Sequence, residues 1–351
     1  MSKTLLTEKK YLFAIFIGFL LIQSSLGSIV FAGKCSPSEL AIKKIRLKNN
    51  TKYEEIIEQG LEHLGGNNFS QTIRWLCSQP EIEFATYVYN TMTIKFVDGS
   101  YILIIEPHQT IDGLHYYNIS SMYYTGGNSH SWSREALILN PFEYVYGSWY
   151  CRVIAKDLQL MGYNVTYRAD NRVDLNFIRY NLSAEVLYLN THAGCWDIDG
   201  DGSPDEVVIG IGEVWDNETD EKYSFEYENK MIVKARIGDR YVIAFTPYLI
   251  DYYYRENRFP SSLIYIAACY VAYDSSSMAN SFLQAGAKAY MGWSRETVFW
   301  TNSVTSVVAF KLLCRGFTVK TVCSLIGYGG LFHVLFKSKL MYYGDGNLKI
   351  S

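Results

Sequence analysis

Two apolar runs constrain the fold of this 351-residue chain more than any other feature of its sequence. The first, residues 186–189, precedes His192, and the second, residues 263–268, directly precedes Cys269. Short apolar runs bounded by polar residues are typical of strands buried on both faces, as in parallel sheets. Ligands of open α/β sheets bind beyond the carboxyl ends of such strands. We therefore expect His192 and Cys269 to lie together at one edge of a sheet.

A cysteine and a histidine placed in this way favour nucleophilic chemistry. A free thiol is mostly protonated at neutral pH, and a neighbouring imidazole that takes the proton produces the reactive thiolate. Each residue also has a structural interpretation, since free cysteine is among the most buried residue types and a histidine after a strand often only caps a loop. His192, unlike the other five histidines, follows a strand-like run and precedes what reads as a small-residue turn. Cys195 is the rival nucleophile, but it lacks a predicted strand of its own.

The surroundings of the two residues follow a known pattern. An apolar run ends in His192-Ala193-Gly194, a second ends in Ala268-Cys269, and residues 278–293 and 343–350 follow as Met-Ala-Asn-Ser-Phe-Leu-Gln-Ala-Gly-Ala-Lys-Ala-Tyr-Met-Gly-Trp and Tyr-Gly-Asp-Gly-Asn-Leu-Lys-Ile. Over roughly residues 135–351 the chain resembles the caspase-like cysteine peptidase clan, particularly its gingipain-type members. It departs from the clan pattern at Ala193, which separates the histidine from the usual glycine, and at Gly346, where proline is usual.

The resemblance implies an exported cysteine endopeptidase in which Cys269 attacks the peptide carbonyl and His192 transfers the proton. The amide of Cys269, together with that of Gly194 or Ala193, would form the oxyanion hole. Gingipain-type relatives cleave after arginine or lysine, which would require an acid in the substrate pocket. Asp251 and Glu296 are the candidates for that acid, and Trp293 is a further pocket candidate.

The alternation of predicted strands and helices gives an α/β fold with a parallel-rich sheet flanked by helices, and the resemblance implies that this sheet is caspase-like. We divide the chain into an export signal at residues 1–33, a small α+β unit at 34–130 and a peptidase-like domain at 131–351. The first unit contains a predicted helix at 53–64 and a hairpin around Asp98-Gly99. It is either an inhibitory prosegment or a fixed accessory domain, and residues 124–131 are the best linker candidate.

The amino terminus predicts export from the cytoplasm. Lysines precede an apolar core at residues 11–22, and residues 30–32 offer a small-residue cleavage site. An uncleaved segment would instead serve as a membrane anchor, so attachment to a cell surface remains an alternative to secretion. Exported glycoproteins carry sequons of the kind found at six positions, namely Asn49, Asn68, Asn118, Asn164, Asn181 and Asn217.

The number of cysteines also fits an exported protein, in which disulfides form. If one of the seven is the nucleophile, the other six can form disulfides. Cys314 and Cys323 are the favoured pair, since Arg315-Gly316 reads as a turn between two helices. The net charge of −3 and the lack of a basic stripe argue against a nucleic-acid partner. The expected partner is a protein or peptide substrate, and the sequence leaves the oligomeric state open.

An acidic loop lies between the two apolar runs and predicts a calcium site. Aspartates recur at alternate positions, as hard cations require of oxygen ligands. The expected ligands are Asp197, Asp199, Asp201, Asp205 and the carbonyl of Ser203. The position at which an EF-hand has glutamate is Val208, so the run instead resembles the short calcium loops of integrin-type propellers. A solvated acidic turn is the alternative.

A second functional hypothesis belongs to another class. The chain would be a catalytically silent, calcium-stabilised surface module in which Cys269 is a core residue and the tyrosine-rich exterior, from 30 tyrosines, binds a partner. Thiol reactivity separates the two hypotheses, because an activated cysteine reacts faster with alkylating agents than an unperturbed one.

Overall fold

The structure is a computed structural model. It describes residues 31–34, 50–63, 69–106, 134–216, 218–255, 258–259, 262–273, 276–327 and 337–350. Nearly all of the predicted export signal, the linker candidate at 124–131 and four of the six sequons lie outside these ranges. The two sequon asparagines inside them, Asn164 and Asn181, are exposed. Among the described residues, no helix is both long enough and apolar enough to cross a membrane.

Strands and helices alternate along much of the chain. In the first third they are β1 (Phe31–Lys34), α1 (Asn50–His63), α2 (Phe69–Leu76), β2 (Ile82–Val88), β3 (Thr91–Phe96) and β4 (Tyr101–Ile105). Next come β5 (Glu135–Asn140), α3 (Glu143–Tyr146), α4 (Trp149–Leu160), β6 (Asn164–Ala169), α5 (Leu175–Tyr180), β7 (Val186–Asn190), β8 (Ala193–Trp196) and β9 (Glu206–Val214). The remainder are α6 (Thr219–Lys222), α7 (Ser224–Glu228), β10 (Ile232–Ile237), β11 (Arg240–Phe245), α8 (Pro247–Tyr253), β12 (Leu263–Ala267), α9 (Ser277–Gln284), β13 (Ala289–Trp293), α10 (Phe299–Leu313), α11 (Val319–Gly327) and β14 (Leu340–Gly344).

Six strands form a sheet in the order β14-β13-β12-β7-β5-β6, and all of its pairings are parallel except that of β13 with β14. The two apolar runs are β7 and β12, which lie side by side in the middle of this sheet. Tyr188 and Tyr265 pack on one face with Phe310 of α10, while Leu187 and Ile264 pack on the other. The predicted parallel-rich sheet with strands buried on both faces is confirmed.

The second sheet has eight strands in the order β1-β2-β3-β4-β10-β11-β9-β8. The strands before residue 106 and the strands between residues 193 and 245 therefore share one sheet, joined where β4 runs parallel to β10. An ion pair with two nitrogen–oxygen contacts of 2.7 and 2.9 Å joins Arg236 on β10 to Glu58 on α1. The sheet curls back on itself, so that β8 contacts β3 and β4.

Two local predictions around β8 are wrong. Ala193 and Gly194 were expected in a turn, and Cys195 was expected to lack a strand, yet all three lie in β8, which pairs antiparallel with β9. A strand of four residues is too short to show a clear alternation of apolar and polar side chains. Its conformation is therefore set by the strand with which it pairs. The hairpin around Asp98-Gly99 is confirmed, with Gly99 at a φ of 90° between β3 and β4.

The cysteines of the described residues are all free thiols. The predicted bond between Cys314 and Cys323 is therefore absent from the structure. Cys314 directly follows α10 and Cys323 lies within α11, as the predicted pair of helices required, but Cys323 is buried and Cys314 only half-buried. Cys35 lies outside the described residues.

Candidate active site

The strand register brings His192 and Cys269 to the same edge of the six-stranded sheet. Asn190 at the end of β7 pairs with Ala267 at the end of β12. The Thr191 amide extends this pairing by donating to the Ala267 carbonyl at 3.3 Å. His192 lies two residues after Asn190, and Cys269 lies two residues after Ala267. The two residues therefore follow neighbouring strands at the same height along the sheet. Strands paired in this way lie about 4.8 Å apart.

The imidazole of His192 is held by aromatic side chains. Its Nε2 lies 2.8 Å from the Tyr146 hydroxyl, and the Phe142 ring meets it edge-on at a centroid distance of 5.0 Å. His192 is only 2% exposed. Because Tyr146 engages Nε2, Nδ1 is the nitrogen suited to exchange a proton with a thiol. The sequence analysis did not identify Tyr146, which lies 46 residues from the histidine it contacts.

The thiol of Cys269 lies in a buried site lined by backbone groups. The Thr297 amide donates to its Sγ at 3.2 Å, and the side chain is 2% exposed. Burial raises the pKa of the Cys269 thiol well above its usual value, and the negative charge of Glu296 raises it further, whereas the Thr297 amide lowers it. The thiol is therefore neutral at physiological pH, and a nucleophilic role requires a base that removes its proton during the attack.

Two tyrosines beside Cys269 adopt left-handed backbone conformations. Tyr270 has a φ of 59° and Tyr89, between β2 and β3, has a φ of 57°. Their rings stack at a centroid distance of 4.8 Å. Left-handed conformations are uncommon for bulky residues and occur preferentially at functional sites. The contact also brings the β2–β3 turn against the segment that carries the thiol.

A buried amide network supports the strand ends beneath the site. Asn302 on α10 donates to the Ala267 carbonyl at 2.8 Å and to the Asn190 side chain at 3.2 Å. It accepts a hydrogen bond from the indole nitrogen of Trp293 at 2.8 Å. Trp293, which the sequence analysis named as a pocket candidate, is 3% exposed.

Two carboxylates come close to Cys269. Glu296 carries a charge that acts on the thiol, and Glu106, at the end of β4, acts on both the thiol and Glu296. Burial raises the pKa of both carboxyls. The charge of Glu106 raises the pKa of Glu296 further. Glu296 nevertheless stays exposed to solvent, whereas Glu106 is half-buried and accepts a hydrogen bond from Tyr87 at 2.7 Å.

The other predicted pocket acid has a different setting. Asp251 lies on α8, where its charge acts on Tyr248 of the same helix. Among the described contacts none joins Asp251 to Cys269, so the structure favours Glu296 over Asp251. Glu106 was missed because it lies 163 residues before Cys269 and no local pattern connects the two.

The rival nucleophile lies in the same apolar cluster as Cys269, together with Val88 and Tyr270. Cys195 is 1% exposed, and burial raises its pKa to about 12. Its backbone amide donates to the Thr91 hydroxyl at 3.0 Å. Cys195 thus has the setting of a packed core thiol.

The acidic loop between β8 and β9 brings three of its carboxylates together. One oxygen from each of Asp197, Asp199 and Asp205 lies within 4.8 Å of the others, and Asp197 is completely buried. Asp201 is outside this group, and its carboxylate accepts a hydrogen bond from the Ser203 amide at 2.7 Å. Three of the four predicted carboxylate ligands therefore lie together.

The same carboxylates also accept hydrogen bonds from the loop itself. Asp197 accepts from the amides of Gly200, Asp201 and Gly202, at 2.7 to 3.2 Å. Its pKa is raised, chiefly by burial, although the amides of Gly200 and Gly202 lower it. Carboxylate oxygens are suitable ligands for Ca²⁺, which takes six to eight oxygens. The remaining ligands would have to be carbonyls or water.

The chain matches no protein-family model, and it matches no curated protein.

Proposed function

We propose that this protein is an exported cysteine endopeptidase of the caspase-like type with a Cys269–His192 dyad. The observation that carries the proposal is the register of β7 with β12, by which both residues leave adjacent parallel strands at the same level. Buried polar groups that converge at the carboxyl edge of such a sheet are the usual composition of an active site. Export rests on the sequence alone, chiefly on its amino-terminal segment.

The contacts of the two side chains suit a mechanism of general base catalysis. His192 Nδ1 removes the proton of the Cys269 thiol as Sγ attacks the carbonyl carbon of the scissile bond. The Tyr146 hydroxyl accepts a hydrogen bond from the Nε2–H group and so stabilises the imidazolium that forms. That imidazolium then protonates the leaving amine, and a thioester links the acyl group to Cys269. Water, deprotonated by His192, hydrolyses the thioester and restores the thiol.

The carboxylates near the thiol support a preference for a basic side chain at P1. The charge of Glu106 raises the cost of ionising Glu296, and a lysine or arginine side chain placed near them would relieve that repulsion. An arginine would also gain charge-assisted hydrogen bonds of good geometry. Glu296 is the more accessible of the two, so we assign it the leading role.

Calcium is the proposed ligand of the acidic loop. Asp197 follows His192 by five residues, and β8 connects the two. A cation held by Asp197, Asp199 and Asp205 would neutralise carboxylates that otherwise repel one another. Its role would be to stabilise the loop and the strand before it, with no direct part in the reaction.

The proposal is tested with purified protein and a fluorogenic peptide library that varies P1. We expect hydrolysis after arginine or lysine, and its loss in Cys269→Ala and His192→Ala. Cys195→Ala is the matched control, because it removes a neighbouring buried thiol and should lower stability while leaving hydrolysis in place. If Cys195→Ala abolished hydrolysis without unfolding and Cys269→Ala did not, the nucleophile would be Cys195.

The competing function is a catalytically silent, calcium-stabilised surface module. The burial of Cys269 favours it, since a thiol with 2% exposure and a raised pKa also fits a core position. A module of this kind would hydrolyse no member of the library, and its Cys269 would react with iodoacetamide more slowly than an unperturbed thiol. Both results together would replace the peptidase proposal.

A further inference from the structure

The hydrogen-bond pattern of β8 decides which amide after His192 faces the site. The Gly210 amide donates to the His192 carbonyl at 2.9 Å. Opposite residues of an antiparallel ladder alternate between bonded and non-bonded pairs. The next bonded pair is therefore Gly194 with Val208, and the Gly194 amide points into β9. The amide of Ala193 points to the opposite side.

That opposite side of β8 faces β3, whose threonines bind its backbone amides. The Cys195 amide donates to the Thr91 hydroxyl at 3.0 Å, and the Asp197 amide donates to the Thr93 hydroxyl at 3.3 Å. The alternation places the Ala193 amide in the same row, next to these two. Among the described contacts, no side chain of β3 accepts from it. It is the amide of this row that lies nearest to His192 in the chain.

Asn90 and Thr91 enclose the peptide between Ala193 and Cys195. The Asn90 side-chain amide donates to the Ala193 carbonyl at 2.9 Å, and the Thr91 hydroxyl donates to the Asn90 side-chain oxygen at 3.1 Å. Together with the bond from the Cys195 amide, these contacts close a ring around Gly194. A Cβ added to Gly194 would lie 2.0 Å from the Thr91 hydroxyl oxygen, so only glycine permits this approach.

We infer that Asn90 and Thr91, which lie at the β2–β3 turn, are positioning residues that aim the Ala193 amide into the oxyanion hole. Asn90 holds the carbonyl of Ala193, and Thr91 holds the amide of Cys195, so the direction of the Ala193 amide is fixed from both sides. Ala193, and not Gly194, then supplies the second oxyanion donor beside the Cys269 amide. The inference rests on the proposed peptidase function. It also makes the amino-terminal unit part of the catalytic machinery.

The test compares Asn90→Asp and Thr91→Val with the unchanged protein, at saturating calcium. Asn90→Asp replaces the donor by an acceptor of equal size, and Thr91→Val removes the hydroxyl with little change in volume. We expect kcat to fall by about 10- to 100-fold, because a displacement of about 1 Å in a catalytic group has effects of that order. KM should change by less than about threefold, since the interaction acts in the transition state.

Alkylation of Cys269 separates positioning from a general structural role. Reaction with iodoacetamide requires the thiol and His192 but develops no oxyanion, so its rate should be unchanged in both variants. Inhibition by a peptide aldehyde, whose adduct does carry that oxygen, should weaken in parallel with kcat. Hydrolysis is expressed per alkylatable Cys269, which cancels any loss of folded protein.

Two further variants provide controls. Thr91→Ser keeps the hydroxyl and should restore most of the rate. Thr93→Val removes the same group one step further along the row and should affect stability without lowering kcat. If Asn90→Asp and Thr91→Val keep kcat within about twofold, or lose hydrolysis and alkylation equally, the positioning role is wrong. Turnover that survives Cys269→Ala would instead overturn the peptidase proposal itself.

Discussion

The two sheets of this protein divide the work of the site between them. The six-stranded sheet supplies the reactive side chains from adjacent parallel strands, whose pairing follows directly from two apolar runs. The eight-stranded sheet supplies the support, through side chains of β3 that bind the backbone of β8 more than 100 residues later. Because one sheet carries the reactive side chains and the other carries the residues that support them, the site depends on segments that lie far apart in the chain.

The strongest test of this comparison removes the amino-terminal unit. A chain that begins at residue 131 lacks β1 to β4, leaves the edge of β10 unpaired and loses Asn90 and Thr91. We expect it to aggregate or to lack all peptide hydrolysis, because an uncovered edge strand pairs with other chains. Activity of the purified fragment measures the outcome.

The matched control is a full-length chain nicked by a protease between residues 107 and 133. Its two pieces should remain together during gel filtration and keep hydrolysing peptide. If the fragment from residue 131 folds and is active alone, residues 34–130 are a removable prosegment and the division of work between the sheets is wrong.

A more local test addresses the contact between β3 and β8 within the eight-stranded sheet. Gly194→Ala forces a methyl group against the Thr91 hydroxyl, and overpacking of this kind costs about 1–3 kcal/mol of unfolding free energy. Denaturant titration should show the loss. Thr91→Ala in the same chain makes room and should recover part of it, whereas Thr93→Ala should not. Equal stability of Gly194→Ala and the unchanged protein would mean that β3 and β8 are further apart than described.

Removing and restoring calcium tests whether the acidic loop that follows β8 stabilises the site. A ligand bound by the folded state alone adds about 2.7 kcal/mol at a hundredfold excess over its Kd. We expect chelation to lower the melting temperature and to slow hydrolysis, and added calcium to restore both. Asp197→Asn should mimic chelation, because Asp197 is the buried member of the group, while Asp201→Asn should have little effect.

Elemental analysis of the purified protein provides an independent reading. No bound calcium, together with a melting temperature that chelation leaves unchanged, would identify the loop as an acidic turn held by its own amides.

A change to Glu106 or Glu296, the two carboxylates near Cys269, should have the smallest effect on stability. The pKa values of Glu106 and Glu296 are raised on folding, so their contribution to stability is present at low pH and is lost as the pH rises through the raised values. Glu296→Gln removes the repulsion and should raise the melting temperature at neutral pH by at most about 3 °C, since solvent screens the exposed Glu296.

Glu296→Gln should weaken the selection of substrates even though it raises the melting temperature. Preference for a basic over a neutral P1 residue should fall in Glu296→Gln, and in the unchanged protein it should fall as the pH drops and the carboxyls become protonated. Asp251→Asn is the control and should alter neither property. A pH-independent preference that survives Glu296→Gln would place the specificity pocket elsewhere.

The sequence predicted those parts of the molecule whose signals are local. The runs that form β7 and β12, the hairpin at Gly99 and the alternation of strands and helices after Ala136 were all visible, because each depends on residues close together in the chain. His192 and Cys269 were found because both end such runs. Their supporting residues were not, since Tyr146, Asn90 and Glu106 carry no pattern that separates them from ordinary polar positions.

The errors have the same origin. Residues 193 and 194 were taken for a turn because Ala-Gly is compatible with one, but pairing with β9 holds them in an extended strand. No elements were predicted between residues 206 and 245, where β9, β10 and β11 pair with each other and with β4. Trp293, a pocket candidate from the sequence, is the last residue of β13, and its indole nitrogen binds the buried side chain of Asn302.

The most direct test of the central claim is the rate and site of alkylation by iodoacetamide in the folded protein, followed by peptide mass mapping. The account predicts that Cys269 reacts first, that hydrolysis is lost in proportion to its labelling, and that His192→Ala slows the reaction. Cys195 and Cys151, which are both buried, should react only after unfolding. If Cys269 stays unlabelled until the protein unfolds, or if its labelling leaves hydrolysis intact, the Cys269–His192 dyad is contradicted.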